Sequence, residues 1–273
     1  MPEGDVVRRT ARRLDRALSG RPLEFADLRW PGLSTARLEG RTVTGVVSRG
    51  KHLLTRLSGD LTLHSHLRMD GSWHIFAAGA LVALRAGRRP AGAPGPDHSV
   101  RAVLGNRDWL AVGYALGMLD LVATGDEARL VGHLGPDLLD PAWDRDAAVA
   151  RLTADPRRPL GEALLDQTVV AGIGTFYLAE TCFLTGAFPG DPVCALSRPG
   201  ALLDRARALL TANLERVPQT TTGSTRYGEN AYVYGRAGRP CRRCGTAIEA
   251  GQIGEEPRAR TTYWCARCQP RRA

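Results

Sequence analysis

Four of the six cysteines fall within the last 33 residues, and their spacing restricts the fold of that segment more than any other feature restricts the rest of the chain. They form two C-x2-C pairs separated by 20 residues: Cys241, Cys244, Cys265 and Cys268. In a reducing compartment such pairs bind a metal rather than oxidise, and four thiolates complete a tetrahedral zinc site. Two redox-active pairs are the alternative. We expect one structural zinc ion in a C-terminal ribbon, and we expect Cys182 and Cys194, in apolar stretches, to be ordinary buried cysteines.

A helix and a series of short strands are predicted for the first half of the chain. Residues 5–19 place apolar side chains at helical spacing with arginines on the opposite face, and Gly20 provides a stop. Seven short runs rich in β-branched and aromatic residues follow: LEFADLRW, RTVTGVVSR, KHLLTRL, LTLHSHL, SWHIF, SVRAVLG and DWLAVGY. This pattern indicates a β-sandwich or barrel. The second half of residues 77–97 is biased to Ala, Gly, Pro and Arg and favours a loop.

From about Gly125 onward the strand patterns give way to helical ones. The expected helices are DAAVARLTAD, LGEALLDQTVV, FYLAETCFLTG and ALLDRARALLTANLERV, and a polar, flexible stretch at residues 218–230 separates them from the cysteine pairs. We therefore expect an α+β multidomain chain. Its three domains are a helix plus β-sandwich in residues 1–122, a helical domain in residues 123–234 and a zinc ribbon in residues 235–273.

The balance of charge favours a polyanionic partner. The 37 Lys and Arg residues exceed the 28 Asp and Glu residues by nine, and the sequence pI is about 9.8. Nucleic acid is the commonest polyanion that such a surface binds, although an arginine-rich composition alone would give the same number. No apolar run reaches the roughly 18 residues of a membrane span, and the N-terminus lacks the pattern of a secretory signal. We expect a protein of the cytoplasm with no membrane partner.

One basic position is exceptional. Lys51, in the stretch SRGKHLL, is the single lysine of a chain that has arginine at its other 36 basic positions. A compact ammonium on a flexible stem fits where a planar guanidinium does not, and it can give up a proton. The alternative is a surface residue without a special role.

The chain begins MPEGD, and removal of Met1 would leave Pro2 with a free secondary amine. An α-amino group titrates near pH 8, about 2.5 units below a lysine, and a neutral secondary amine condenses with an aldehyde carbon to a cationic iminium. The positive end of the following helix would depress the pKa of this amine further. Glu3 could transfer a proton at the same centre. A processing signal with no chemistry is the alternative.

The segment QTVVAGIGTFYLAE, residues 167–180, is predicted to be a helix, a tight turn and a second helix. Gly172 and Gly174 would let the backbone approach a partner and leave amide groups at a helix start, which suits a phosphate. A plain helix hairpin with glycine caps is equally compatible with the pattern.

Two histidines, His64 and His66, alternate along LTLHSHL and should face the same side of a strand. A histidine pair can bind a metal. No cysteine is close in sequence, and the nearest acids fall in expected turns, so we expect a structural role.

These motifs occur together in one order: MPEG, RGKHLL, SHLRMDGS, GPDLLDP, LLDQTVVAGIGTFYLAE and a four-cysteine ribbon. Jointly they resemble the formamidopyrimidine-DNA glycosylase / endonuclease VIII family of DNA repair enzymes, nearly from end to end. PEG rather than PEL resembles the endonuclease VIII-like branch. The resemblance implies a helix–two-turns–helix in the helical domain. It also implies a monomer, associated with the nucleoid, that acts on double-stranded DNA containing damaged bases or abasic sites.

The resemblance further implies a chemistry for the catalytic residues. Pro2 would attack the sugar C1′, displace the damaged base and form a Schiff base, while Glu3 assists ring opening and proton transfer. β- and then δ-elimination would cut the strand on both sides of the lesion. Lys51 matches the family's lysine that contacts the phosphate beside the lesion and assists catalysis.

The same resemblance assigns DNA contacts. Gly174 and Thr175 lie where the family grips the phosphates flanking the lesion, and Arg260 matches the arginine of the zinc-ribbon hairpin. Met69 matches the residue that fills the gap left by a flipped nucleotide, with a buried core methionine as the alternative. Arg68 beside it would touch the DNA backbone.

Three departures from the family pattern affect these expectations. Thr175 replaces the usual asparagine, although threonine can still cap the helix, and Val6 replaces a carboxylate that many members carry. The residues that 8-oxoguanine enzymes place opposite the estranged base are not evident in DWLAVGYALGMLDL. We therefore favour oxidised pyrimidines over 8-oxoguanine or formamidopyrimidine as the damaged base. A non-catalytic zinc-ribbon protein that binds damaged DNA remains an alternative of a different class.

Overall fold

The structure is a computed structural model that describes residues 2–88, 90–257 and 259–272. It separates into two compact units, Met1–His133 and Leu134–Ala273. Helices and β-sheets both occur, and the four cysteines near the C-terminus cluster. The expected α+β fold class is thereby confirmed. No helix of the described residues has the length and apolar character needed to cross a membrane.

The first unit is a β-sandwich with a helix packed against it. Its described helices and strands, in chain order, are α1 Gly4–Leu18, β1 Phe25–Leu28, β2 Val43–Arg49, β3 His52–Leu57, β4 Leu61–His66, β5 Ser72–Ala77, α2 Ala80–Arg85, β6 Val100–Gly105, β7 Trp109–Tyr114, β8 Met118–Ala123 and α3 Ala128–Val131. The strands form two four-stranded antiparallel sheets, in the orders β1-β6-β7-β5 and β2-β3-β4-β8. Seven of these eight strands match the predicted runs.

Helix α1 and both sheets share one hydrophobic core. Val7, Ala11 and Leu14 of the helix are buried at intervals of three and four residues, so one helical face packs against the strands while the arginines lie on the other faces. Asp15 ties the helix to β2, since its Oδ1 accepts hydrogen bonds from the Val46 amide at 2.8 Å and the Ser19 hydroxyl at 2.6 Å. These contacts fix the C-terminal end of α1 against strand β2.

Strand β8 was absent from the predicted elements. Its burial does not alternate regularly, and an aspartate, a residue disfavoured in strands, stands in its middle. The strand exists because it pairs in register with β4 from His66↔Met118 to Leu61↔Ala123. Long-range backbone pairing therefore overrode a weak local pattern.

The second unit is helical and carries a small hairpin. Its described elements are α4 Arg145–Thr153, α5 Leu160–Leu165, α6 Thr175–Thr185, α7 Pro199–Ala212, β9 Glu249–Ile253 and β10 Arg260–Trp264. Asp144 caps α4 by accepting the Ala147 amide at 2.9 Å. The helix predicted through Val170 ends at Leu165, because Asp166 Oδ1 accepts from the amide and hydroxyl of Thr168 and turns the chain.

The two cysteines outside the pairs behave differently from each other. Cys182 is fully buried in α6, as predicted, and burial raises the pKa of its thiol to about 12. Cys194 is exposed, so the expectation that it is buried was wrong. It lies in a short 3-10 turn where the buried position belongs to Val193.

Candidate active site

The start of the chain places a carboxylate in the interior. Glu3 is the N-cap of α1 and is completely buried, while Pro2 beside it is half-buried. The backbone of Glu3 is extended, and its carbonyl accepts the Val7 amide at 3.0 Å, which opens the helix. The helix macrodipole favours negative charge here and disfavours a protonated amine. The start of α1 therefore places Pro2 beside a buried carboxylate at the positive end of the helix.

Lys51 occupies the turn between the edge strand β2 and its neighbour β3. Arg49 and His52 pair across the end of the β2–β3 ladder, which leaves Gly50 and Lys51 as a two-residue turn, and Gly50 has φ 56°. A two-residue hairpin needs positive φ at its first central position in one favoured type, which glycine adopts without strain. The turn holds the partly exposed lysine at a defined point of the sheet rather than on a flexible loop.

Behind Lys51, three side chains on adjacent strands form a continuous hydrogen-bonded chain. His52 Nδ1 lies 2.8 Å from His64 Nε2, and His64 Nδ1 lies 2.9 Å from Asp120 Oδ2. A charged Asp120 can only accept, so His64 donates from Nδ1 and accepts at Nε2 from the His52 Nδ1 hydrogen. His52 is thereby held in the tautomer with a lone pair on Nε2.

His52 and His66 stay neutral near pH 7. Burial, with the nearby His66, His64, His133 and Lys51, lowers the pKa of His52 to about 3. Burial, with Lys51, His64 and Arg68, lowers the pKa of His66 to about 4. The rings of His64 and His66 both contact His52, at centroid distances of 5.0 and 4.8 Å, so the two residues share one face of β4 as predicted. Lys51 and Arg68 thus lie near the uncharged rings of His52 and His66.

The turn after β4 projects a methionine outward. Arg68 has φ 50°, its amide donates to His66 Nδ1 at 2.9 Å, and the Gly71 amide returns to the Leu67 carbonyl at 2.9 Å. A Cβ on Gly71 would come within 2.4 Å of that carbonyl, so the tight turn requires glycine. Met69 at its tip is 59% exposed, which excludes the alternative of a core methionine.

In the second unit, Gln167 holds the turn before α6. Its side chain accepts the Gly172 amide at 3.0 Å and donates to the Ile173 carbonyl at 3.0 Å. Gly172 has φ 109°, a conformation that favours glycine, whereas Gly174 has an ordinary extended backbone. Gly174 is the N-cap of α6 and Thr175 the first helical residue, so the expectation that threonine caps this helix was wrong. Thr175 is 6% exposed.

The four cysteines of the C-terminal pairs meet. Their sulfur atoms all lie within 4.8 Å of one another, with Cys241–Cys268 at 3.9 Å and Cys244–Cys265 at 3.4 Å. Zn–S bonds of about 2.3 Å in a tetrahedron place sulfur atoms ~3.8 Å apart. Hydrogen bonds from Thr246 lower the pKa of the Cys244 thiol to about 6. Among the described residues this is the one His, Cys, Asp and Glu cluster with metal-binding geometry.

The cysteine cluster packs directly on α6. Gln269, fully buried, accepts the Cys265 amide at 2.9 Å and donates to the Ala187 carbonyl at 2.8 Å. Strands β9 and β10 form the antiparallel hairpin, and Arg260 opens β10 as an exposed residue paired with Ile253. The arginine is therefore presented close to the hairpin tip.

One buried acid was missed by the sequence analysis. Glu180 of α6 is completely buried and accepts the amides of Tyr232, Val233 and Tyr234 at 2.8–2.9 Å, together with the Thr221 hydroxyl. A carboxylate with several donors anchors the segment that leads to the cysteines. The detectable signal was an acid inside the otherwise apolar run TFYLAETCFLT.

Comparison with known proteins places the chain. The family model for the formamidopyrimidine-DNA glycosylase N-terminal domain matches residues 1–112. The chain is 52% identical to the probable endonuclease 8 2 of Streptomyces coelicolor, covering 98% of this chain and 94% of the relative. It is 46% identical to the DNA-(apurinic or apyrimidinic site) lyase Nei2 of Mycolicibacterium smegmatis, covering 98% and 99% of the two chains.

The fold is also that of a solved structure. The formamidopyrimidine-DNA glycosylase of Lactococcus lactis, bound to DNA containing an abasic site, superimposes with a TM-score of 0.78 at 23% identity, over 99% of this chain and 100% of that one. At this identity the similarity establishes the fold alone. Together with the 52% and 46% identical relatives, these matches confirm the resemblance found in the sequence. The chain belongs to the formamidopyrimidine-DNA glycosylase / endonuclease 8 family of DNA glycosylase/AP lyases.

Proposed function

We propose that this protein is a bifunctional DNA glycosylase/AP lyase of base excision repair that removes oxidised bases through a Schiff base on Pro2. The observation that carries the proposal is the start of α1, where Pro2 adjoins the fully buried Glu3 at the positive end of the helix. With Met1 removed, that position supplies a secondary amine whose neutral form the helix favours.

The reaction would proceed in balanced steps. The Pro2 nitrogen attacks C1′, the C1′–base bond breaks, and the base leaves with a proton as the sugar ring opens to the iminium. Loss of a proton from C2′ then expels the 3′ phosphate oxygen, and a second elimination expels the 5′ phosphate oxygen. Glu3 is positioned to donate and accept the protons of ring opening. Water finally releases the proline.

Lys51 would neutralise the phosphate beside the lesion and assist proton transfer. It stands in a two-residue turn, and the neighbouring His52 and His66 remain neutral, so these two imidazoles add no positive charge beside the ammonium. We assign to Met69 the filling of the gap left by the extruded nucleotide, because it is exposed at the tip of a turn held by Gly71. Arg68 in the same turn would contact the DNA backbone.

The second unit would supply phosphate contacts. Gly174 and Thr175 stand at the start of α6, where amide groups and the helix dipole favour a phosphate. Arg260, exposed at the start of β10, would reach the same strand. We further propose that Cys241, Cys244, Cys265 and Cys268 hold one structural zinc, which orders this hairpin. Residues 1–122, 123–234 and 235–273 would then act as catalytic, phosphate-gripping and finger domains of a monomer on double-stranded DNA.

Borohydride trapping tests the chemistry. Duplexes carrying an abasic site, thymine glycol, dihydrouracil or 8-oxoguanine are incubated with protein and sodium borohydride, which reduces the iminium to a stable amine. We expect a covalent protein–DNA complex with the abasic and oxidised-pyrimidine duplexes, lost in Pro2→Gly. Mass spectrometry of the active protein should show Pro2 as the first residue.

The outcomes separate the alternatives. Trapping strongest on 8-oxoguanine would move the protein to the 8-oxoguanine and formamidopyrimidine branch. Tight binding of every duplex with no trapped complex would identify a non-catalytic binder of damaged DNA. Retention of Met1 in fully active protein would contradict the role of Pro2 outright.

A further inference from the structure

The segment between α7 and the cysteine pairs is cross-linked by its own hydrogen bonds. The Thr221 amide donates to the Asn230 carbonyl at 2.9 Å, the Thr222 hydroxyl donates to the Glu229 carbonyl at 2.6 Å, and the Ser224 hydroxyl donates to Glu229 Oε2 at 2.8 Å. The sequence predicted a flexible stretch here, yet these bonds close it into a defined loop. A loop ordered in advance loses less conformational entropy when a ligand binds.

A cavity of about 250 Å³ lies beside this loop. Three arginines line it, Arg226, Arg236 and Arg239, together with Tyr227 and Tyr234, and we call it the arginine pocket. Pockets for drug-sized molecules measure about 300–1,000 Å³, so the arginine pocket fits a single phosphate-sized group better than a whole small molecule.

No acidic side chain is among the described residues that line the arginine pocket. None of its three arginines forms an ion pair with a carboxylate among the described residues. The buried carboxylate of Glu180 acts electrostatically on Arg236, but its hydrogen bonds are to the amides of Val233 and Tyr234. An anion from outside the protein would offset this charge.

Arg236 is fixed in the wall of the arginine pocket by backbone carbonyls. Its side chain is 8% exposed and donates to the carbonyls of Tyr232 and Pro240, but its Nε hydrogen has no acceptor among the described residues. A buried donor left without an acceptor costs about 1–3 kcal/mol. The two carbonyl hydrogen bonds hold the guanidinium in place at the edge of the arginine pocket.

An exposed aromatic ring stands next to the arginine pocket. Tyr227 is fully exposed at the loop tip, followed by Gly228 at φ 75°. An exposed ring beside a basic groove is the arrangement by which proteins bind single strands, with the phosphate held by cations and the base stacked on the ring.

We propose that the arginine pocket binds a phosphate of a DNA strand while Tyr227 stacks on an adjacent base that is not stacked in a duplex. This inference rests on the proposed function and names a strand-binding subsite for it. Its ligand is a nucleotide in a locally single-stranded segment, and the pocket contributes affinity rather than chemistry.

Binding measurements on three variants test the proposal. Fluorescence anisotropy is recorded with a labelled oligothymidylate and with a duplex holding a stable abasic analogue, over a series of salt concentrations. Tyr227→Ala should weaken oligothymidylate binding at least about fivefold, the lower end for one base–aromatic stack, while Tyr227→Phe keeps it. Arg226→Gln should lower the slope of log K against log salt by about 0.7, the value for one phosphate on a single strand.

Arg157→Gln is the matched control, because Arg157 is exposed in the same unit and does not line the pocket. The proposal is overturned if Tyr227→Ala binds like the wild type, if Tyr227→Phe is as weak as Tyr227→Ala, or if Arg226→Gln leaves the salt slope equal to that of Arg157→Gln. Trapping on abasic duplex is measured in parallel. If the wild type forms the trapped complex and the variants bind DNA as tightly as the wild type, the subsite alone is rejected. If the wild type forms no trapped complex, the proposed function is rejected.

Discussion

At the scale of single residues, the ammonium of Lys51 and the carboxylate of Glu3 are each held by a different backbone feature of the first unit. Lys51 projects from a two-residue turn whose conformation depends on Gly50, and the imidazoles around it are neutral. Glu3 is buried where a helix begins, so its carboxylate is shielded from bulk water. Each of these groups owes its chemical character to the backbone that holds it.

Replacing the single lysine by arginine should therefore damage catalysis more than binding. We expect Lys51→Arg to slow borohydride trapping on abasic duplex by about 100-fold, the lower end of general acid–base contributions, because a guanidinium does not release a proton and needs more room. The reverse change Arg107→Lys, at an exposed position between β6 and β7, is the control. Full trapping activity in Lys51→Arg would refute the argument for an ammonium.

At the scale of elements, three neighbouring strands carry a polar network on the face of their sheet opposite the sandwich core. His52 on β3, His64 on β4 and Asp120 on β8 form one hydrogen-bonded chain across three neighbouring strands. The network requires β8 to pair with β4 in the observed register, since His64 lies directly opposite Asp120. A one-residue slip would direct Asp120 to the other face of the sheet.

The lowered pKa values of His52 and His66 make the free energy of unfolding depend on pH. In the folded state His52 and His66 have pKa values of about 3 and 4, against about 6.5 when unfolded. The unfolded chain therefore binds more protons below pH 6.5, and each histidine should remove about 1.4 kcal/mol of unfolding free energy per unit as pH falls toward 4. The stability that neutral histidines provide is present above pH 6.5 and is lost below it.

Urea unfolding at pH 7 and pH 5 measures this effect. His52→Gln should lose less stability between the two pH values than the wild type, by about 2 kcal/mol, because the lowered pKa of His52 no longer contributes. His98→Gln, an exposed histidine of the same unit, is the control. Equal losses in wild type and His52→Gln would show that His52 does not titrate as described.

At the scale of the whole molecule, the two compact units have separate cores. The core of the first unit is filled by residues from Val7 to Leu119. The second unit has other core residues: one cluster surrounds α6 and α7, and another joins α6 to the cysteines. Folding energy supplied by a metal at the cysteines should consequently reach the second unit and leave the first unaffected.

Removal of one ligand tests this division. We expect one zinc per chain by elemental mass spectrometry, and we expect Cys244→Ser to lose it. Of two calorimetric unfolding transitions, only one should move in this variant, to a temperature lower by at least about 10 °C. The shift should be this large because structural zinc sites contribute about 10 kcal/mol or more. Cys194→Ser, an exposed cysteine outside the cluster, should keep both metal and stability. Zinc retained by Cys244→Ser would contradict the four-cysteine site.

Particular residues mark how far local patterns carried the prediction. The helical spacing of Val7, Ala11 and Leu14 and the C-x2-C pairs determined a helix and a metal-type cluster, because both depend on separations of a few residues along the chain. The motif order likewise identified the family. These features are local, or are repeated closely enough to be recognised without a partner.

Tertiary structure decided the rest. Long-range contacts join residues far apart in sequence in strand β8, in the His52–His64–Asp120 chain and in the hydrogen bonds of the buried Glu180. No local pattern predicts which of these residues will meet. The exposure of Met69 and Cys194 was also settled only by packing. Periodicity shows which side chains share a face, but the partner that covers the face is set by long-range pairing and core packing.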